Sequence, residues 1–237
     1  MRTPLRLLPK NALVRTGPVD HADWNFRPLL GFIQRQRFRL CRKLLQEIDS
    51  GPVLEIGYGS GIFLPELTHI TAPVMGADVH QFAAAVRAVL RGEGVKAHLV
   101  RASAENIPFL DASFQAVVAI SALEFVPDLS RACREIRRVL KPSGALVVVT
   151  PGASPLIDLG FRLLTGVNPA QDFGNRREMI CGCLLEHFTL DKELRFPPGV
   201  GRSLRLYRAM RLRPLPLPQG TSIHHVPSKM AQVASTP

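Results

Sequence analysis

The stretch 53–67, VLEIGYGSGIFLPEL, sets a carboxylate, Glu55, two residues ahead of three glycines at alternate positions, Gly57, Gly59 and Gly61. A chain uses glycine where it must turn tightly or let a ligand approach its backbone. Asp78 follows 17 residues after Gly61. A single carboxylate at that point can accept both hydroxyls of a ribose, so the two features together suit a ligand that contains a nucleoside. The spacing departs from the dinucleotide fingerprint G-x-G-x-x-G, because the third glycine comes one residue early and position 62 is Ile. Tight packing of the turn is the other reason a chain would need these glycines. Tyr58 stands between the first two, its ring either lining the ligand pocket or packing beside it.

Such a turn needs a strand before it and a helix after it. From residue 52 strand-like and helix-like segments alternate. Strands are expected at 53–56, 74–78, 98–101, 116–121 and 145–150, and helices at 81–92 and 129–140. In the second helix Ala132, Ile136 and Leu140 share one face, amid Arg131, Arg134, Glu135 and Arg138. Lys-Pro-Ser-Gly at 141–144 should stop that helix and start the next strand. Apolar strands alternating with helices predict an α/β fold with a parallel sheet covered on both faces. After residue 150 a helix is expected at 155–164, an irregular stretch at 166–176 and a helix at 177–186. The segments 188–196 and 204–212 read as an antiparallel addition at a sheet edge. Ahead of the sheet, 28–48 reads as a basic amphipathic helix, with Leu30, Phe38, Cys41, Leu45 and Ile48 on one stripe and Arg35, Arg39, Arg42 and Lys43 on another. The chain divides into a basic extension at 1–50, serving as a lid or a membrane-surface element, a main domain at 51–213, and a disordered tail at 214–237 that holds five prolines.

The chain has 237 residues and a net charge of +11. Residues 1–50 and 175–237 each carry 10 basic against 4 acidic residues, whereas 51–174 carry 10 against 11. Basic flanks suit phosphate-bearing surfaces or plain solubility. Two Tyr and one Trp are few for base-stacking platforms, which argues against nucleic acid. The start has no sustained apolar run, and the apolar stretch 144–167 is broken by Pro151, Pro155, Asp158 and Arg162, so neither a secretory leader nor a membrane span is expected. The four cysteines read as free thiols in a reducing cytoplasm. Cys181-Gly-Cys183 has the wrong spacing for a zinc knuckle, and no metal site is expected.

Taken in order, LEIGYGSG, GADV, AENIPFLDASFQAVV and VLKPSGALVVVTP make 53–152 resemble the class I S-adenosylmethionine-dependent methyltransferases, within the methyltransferase type 11 group that includes enzymes of quinone biosynthesis. The resemblance implies a Rossmann-like doubly wound sheet of seven strands, mostly parallel with one antiparallel strand, and S-adenosylmethionine as cofactor. By position it implies that Glu55 meets the methionine amino end, that Gly57, Tyr58, Gly59 and Gly61 approach the cofactor, and that Asp78 holds the ribose. It further implies that Val79 and His80 flank the adenine, that Ala104 and Glu105 lie at its edge, and that Ser121 and Ala122 face the sulfonium. Ser103 replaces an Asp frequent in the family, so weaker adenine recognition is expected. Phe114-Gln115 replaces the usual Phe-Asp, and Phe125 replaces the histidine of Leu-Glu-His, which removes the most obvious base.

The candidates for a catalytic base are then Glu124, by position, and His21, in an upstream segment that such families fold over the donor. Asp172, Arg176 and Arg177, within 168–179, lie where an acceptor pocket would form. The expected activity is methyl transfer to a small-molecule acceptor by in-line displacement. One alternative is a membrane lipid or isoprenoid quinone acceptor, with helix 28–48 touching an anionic membrane surface. Others are RNA binding or RNA methylation, and a cofactor-binding protein without catalysis.

Overall fold

In the computed structural model, which describes residues 4–18, 20–152, 176–201 and 204–215, seven strands join into one sheet. They are β1 (Val53–Ile56), β2 (Val74–Asp78), β3 (Ala97–Arg101), β4 (Phe114–Ile120), β5 (Leu140–Pro151), β6 (Phe188–Phe196) and β7 (Tyr207–Pro214). The helices are α1 (Pro28–Leu45), α2 (Leu64–Ile70), α3 (Ala83–Gly92), α4 (Leu129–Val139) and α5 (Arg176–His187). The expected helix at 155–164, the stretch 166–176 but for its last residue, the side chains of Arg176 and Arg177, Asp172 and the tail from 216 lie outside the described residues.

The strand order is β3-β2-β1-β4-β5-β7-β6. β1 to β5 pair in parallel, and β7 runs antiparallel to both β5 and β6. The mostly parallel sheet with one antiparallel strand expected from the sequence is therefore present. All four residues of β1 and all seven of β4 are buried, because both faces are covered. The two-residue period of a strand sorts side chains between two cores. Val53, Val118 and Val147 join α1, α2 and α3 on one face. Leu54, Val117 and Leu146 join α4 and α5 on the other.

Several boundaries differ from the sequence expectation. The segment 141–144 does not separate helix from strand, because β5 begins directly at Leu140. A register shift at Phe114/Ala116 absorbs it, and a side chain on Gly144 would meet backbone oxygens of Lys141, Gln115 and Phe114 at 2.9–3.1 Å. α4 starts where Asp128 caps it, its carboxylate accepting from Arg131 N at 2.9 Å. The basic stripe of α1 is partly occupied within the fold. Arg42 donates to buried Glu66 at 3.1 Å, and Arg6 N donates to the other oxygen of the same carboxylate at 2.6 Å. Arg35 donates to Asn25 O. With Leu8 buried and its N–H donating to Ile62 O at 3.1 Å, Leu5, Leu7, Leu8, Leu13, Val14 and Ala22 share a core with the sheet. No described helix is long and apolar enough to cross a membrane.

Gly61 closes the turn onto α2 and α3. Its φ is +75°, and a Cβ there would lie 3.0 Å from Val86 Cγ1 and 3.2 Å from Leu64 Cδ1. Gly61→Ala is expected to lower unfolding stability by about 1–3 kcal/mol through strain and overpacking, measured by urea denaturation with an unchanged m-value.

Candidate functional site

The sheet's order reverses between β1 and β4, where an open α/β sheet leaves a crevice at its carboxyl edge. A cavity of about 840 Å³ occupies it. Glu55, Gly57, Tyr58, Gly59, Asp78, Val79, His80, Ala104, Ser121 and His21 line this cavity. Gly61, Glu105 and Glu124 are not among its lining residues.

The three glycines have different causes. A Cβ on Gly57 would meet Ala122 Cβ at 2.5 Å, so packing alone forbids a side chain there, as the neighbours of Gly61 also do. A Cβ on Gly59 would find only Thr16 Oγ1, at 3.9 Å. Gly59 alone of the three faces open space along the cavity wall, which is the arrangement that close approach of a ligand requires.

Asp78 shapes the turn. Its Oδ2 accepts from Gly59 N at 2.8 Å and its Oδ1 from His80 N at 3.3 Å. The His80 ring is fixed at both nitrogens: Nε2 donates to Gly59 O at 3.0 Å, and Nδ1 accepts from Phe82 N at 3.1 Å. A carbonyl can only accept and an amide can only donate, so the proton sits on Nε2. The Tyr58 ring meets His80 edge-on at 4.9 Å and packs where a side chain on Gly76 would lie. Its hydroxyl is buried without a hydrogen-bond partner, and burial pushes its pKa to about 12, helped by the Asp78 charge. The ring therefore both packs on the sheet and lines the cavity.

Glu55 lies on β1 with Oε2 buried and without a hydrogen bond. Burial, then the Asp78 charge, raise its pKa to about 8, while Arg37 pulls it back. Arg37, on α1, lines the same cavity, and its guanidinium carbon stands 4.8 Å from the Phe38 ring centroid. Its Nε is buried without a partner. Burial pulls its pKa below the usual value, and Tyr207, Asp20, Glu124 and Glu55 oppose that. Sequence reading missed Arg37, although a signal existed. It falls with Leu30, Ile33, Gln34, Phe38 and Cys41 at helical spacing, a charge on the apolar stripe.

The segment ahead of α1 forms one wall. Asp20 accepts from Thr16 N (3.0 Å), Thr16 Oγ1 (2.8 Å) and Ala22 N (3.1 Å). His21 stacks on Trp24 with centroids 3.9 Å apart. Ser121, at φ +51°, follows β4 at the cavity floor. Glu105 turns away, Oε1 accepting from Asp128 N at 2.6 Å and Oε2 from Ser103 Oγ at 3.1 Å. Glu124 is buried on the 3-10 turn Leu123–Phe125, where its charge supports Arg37. Phe125, Trp24, Leu30, Ile33, Leu204 and Leu206 make the outer cavity largely apolar.

Residues 54–148 match a family model described as a methyltransferase domain. A ubiquinone/menaquinone biosynthesis C-methyltransferase of Haemophilus ducreyi is 37% identical over 103 residues, which is 41% of this chain and 40% of that protein. A phosphatidylethanolamine N-methyltransferase of Cereibacter sphaeroides is 34% identical over 102 residues, covering 42% and 50%. A sterol 4-C-methyltransferase of Caenorhabditis elegans is 30% identical over 98 residues, covering 40% and 29%. The matched stretch thus spans half or less of each of these relatives. Among solved structures, the PH0226 protein of Pyrococcus horikoshii OT3 superposes with TM-score 0.58 at 21% identity, covering 77% of this chain and 91% of that one. The N-methyltransferase NodS of Bradyrhizobium japonicum WM9, in complex with S-adenosyl-L-homocysteine, gives 0.57 at 17%, covering 77% and 87%. At these identities the likeness is one of fold.

In the ligand-free protein Glu55 should leave a pH signature. With its folded pKa raised to about 8 against an ordinary 4.5, it keeps a proton in the fold that the unfolded chain sheds. Its contribution is fully present below about pH 4.5 and is lost as pH rises through about 8. Glu55→Gln should therefore gain on the wild type across that window, by no more than about 5 kcal/mol, in denaturant melts at several pH values.

Proposed function

We propose that this chain, whose residues 54–148 form a methyltransferase domain of the class I, type 11 S-adenosylmethionine-dependent group, transfers the methyl group of S-adenosylmethionine to a small-molecule acceptor by in-line displacement. The observation that carries the cofactor assignment is a pair of buried groups. The amino-acid end of the cofactor is a zwitterion and asks for one carboxylate and one cation at close quarters. Glu55 Oε2 and Arg37 Nε both face the cavity region without a hydrogen bond. A polar atom left unsatisfied in a dry site costs about 1–3 kcal/mol, and a ligand that satisfies both recovers it. In this reading Glu55 accepts from the ammonium, Arg37 donates to the carboxylate, and Asp78 accepts from the ribose hydroxyls. Gly59 leaves room for the ligand, and Val79, His80, Ser103 and Ala104 border the base.

The cofactor supplies a methyl group already activated on a sulfonium sulfur, so the protein's work is orientation and exclusion of water. Ser121 and Ala122 form the floor beside the reacting carbon. Trp24, Leu30, Ile33, Phe125 and Leu206 keep water away and select an acceptor that is mainly apolar. Of the two candidate bases, His21 borders the cavity and is the one placed to take a proton from an acceptor that must lose one. Glu124 acts at a distance, through Arg37.

Calorimetric titration with S-adenosylmethionine and, separately, NAD⁺ tests the cofactor assignment. Micromolar binding of the first alone is expected. Asp78→Ala and Arg37→Leu should each weaken it at least about tenfold while leaving the fold intact, and Gly59→Val should abolish it. Unchanged affinity in folded variants would remove these residues from the donor site.

A second reading has the acceptor as a membrane lipid or isoprenoid quinone met at an anionic surface. It is favoured by Leu29 and Phe32, 63% and 50% exposed on the helix whose Leu30 and Ile33 line the cavity, with Arg27 beside them. Co-sedimentation with anionic vesicles that falls several-fold in a Leu29→Ser/Phe32→Ser variant would support it. Absence of any vesicle binding by the wild type would exclude it.

A further inference from the structure

On the face of the sheet away from the cavity residues of α1, α4 packs against α5, and three side chains of α5 converge there. Cys183 and His187 are four residues apart and so share a helical face, with Glu186 between them in sequence. One sulfur, one carboxylate oxygen and one imidazole nitrogen from these residues all lie within 4.8 Å of one another. Cys181, two residues before Cys183, turns elsewhere and lies 3.6 Å from Met210 Sδ. Cys183 instead finds its partners one turn on along its own helix.

We propose that Cys183, Glu186 and His187 form a site for a divalent transition metal of the zinc type, on the face of α5 that meets α4. One thiolate, one imidazole and one carboxylate suit tetrahedral zinc, with water as the fourth ligand. With bonds of about 2.0–2.3 Å, the ligand atoms of such a site stand about 3.4–3.8 Å apart, so the group closes by side-chain rotation of an ångström or so. On binding, the Cys183 S–H bond breaks, a sulfur–metal bond forms, and the proton leaves to solvent. One thiolate and one carboxylate balance the charge of the dication. Ser130 completes the outer arrangement: its Oγ lies 3.1 Å from His187 Nε2 and accepts from Arg134 at 3.0 Å. Such a partner is what orients a metal-bound imidazole.

The site is independent of methyl transfer and is tested without it. The full chain is purified under reductant, stripped with chelator, confirmed to hold four free thiols, and titrated with Co²⁺ without oxygen. One equivalent should give thiolate-to-cobalt absorption with tetrahedral d–d bands, and Zn²⁺ should displace them. Cys183→Ser and His187→Ala should weaken binding at least about tenfold, while Cys181→Ser should leave it intact. Zn²⁺ should raise the melting temperature of the wild type and of Cys181→Ser, but not of Cys183→Ser. Saturating Co²⁺ without a thiolate band, or a band unchanged in Cys183→Ser, would overturn the proposal.

Discussion

Two ionisable groups, Glu55 and Arg37, are held out of water with polar atoms to spare, and the rest of the site is arranged around that cost. An isolated charge in an apolar wall would expel itself or neutralise. Glu55 takes the second course in part, keeping its proton to about pH 8. Arg37 cannot do so, and leans on the Asp20 carboxylate together with the face of Phe38. Asp20 is itself organised by Thr16 and Ala22, so the segment ahead of α1 contributes field as well as shape. Glu124, buried behind the wall, is among the groups that oppose the fall in the Arg37 pKa.

The sheet and its crossover order were legible because parallel strands buried on both faces read as unbroken apolar runs, and β1 and β4 are of that kind. The turn at Gly57–Gly61 was legible as a run of glycines, but not as two held by packing and one facing open space. Steric reasons for a glycine come from neighbours distant in sequence, Ala122 for Gly57 and Val86 for Gly61, and no local pattern reveals them. Glu105 illustrates the same limit. Its carboxylate is used by Asp128 N, at the start of α4, and by Ser103, in the loop after β3. Arg37 was hidden for another reason: periodicity assigns a charged residue to the wet face unless its position on the apolar stripe is given more weight than its charge.

The two helical layers have separate tasks. α1, α2 and α3 cover the face whose strands lead into the cavity, and the stretch before α1 is locked beneath them by Glu66, Arg42 and Leu8. α4 and α5 cover the opposite face, and α5 delivers the chain into β6 and then β7. Because β7 is inserted between β5 and β6, the sheet cannot acquire its edge in the order in which the chain is written.

Tyr207 and Leu206, which line the cavity, belong to the last described strand and the residue before it, whereas Thr16 and Asp20 belong to its first turns. The ligand pocket is therefore closed by both ends of the described chain. During synthesis, strands β1 to β5 can emerge and pair while the cavity still lacks a wall. Binding energy from a ligand, which stabilises only the state able to bind it, becomes available after Tyr207 has left the ribosome. Until then the nascent sheet must rely on its own packing, and on chaperones where that is insufficient.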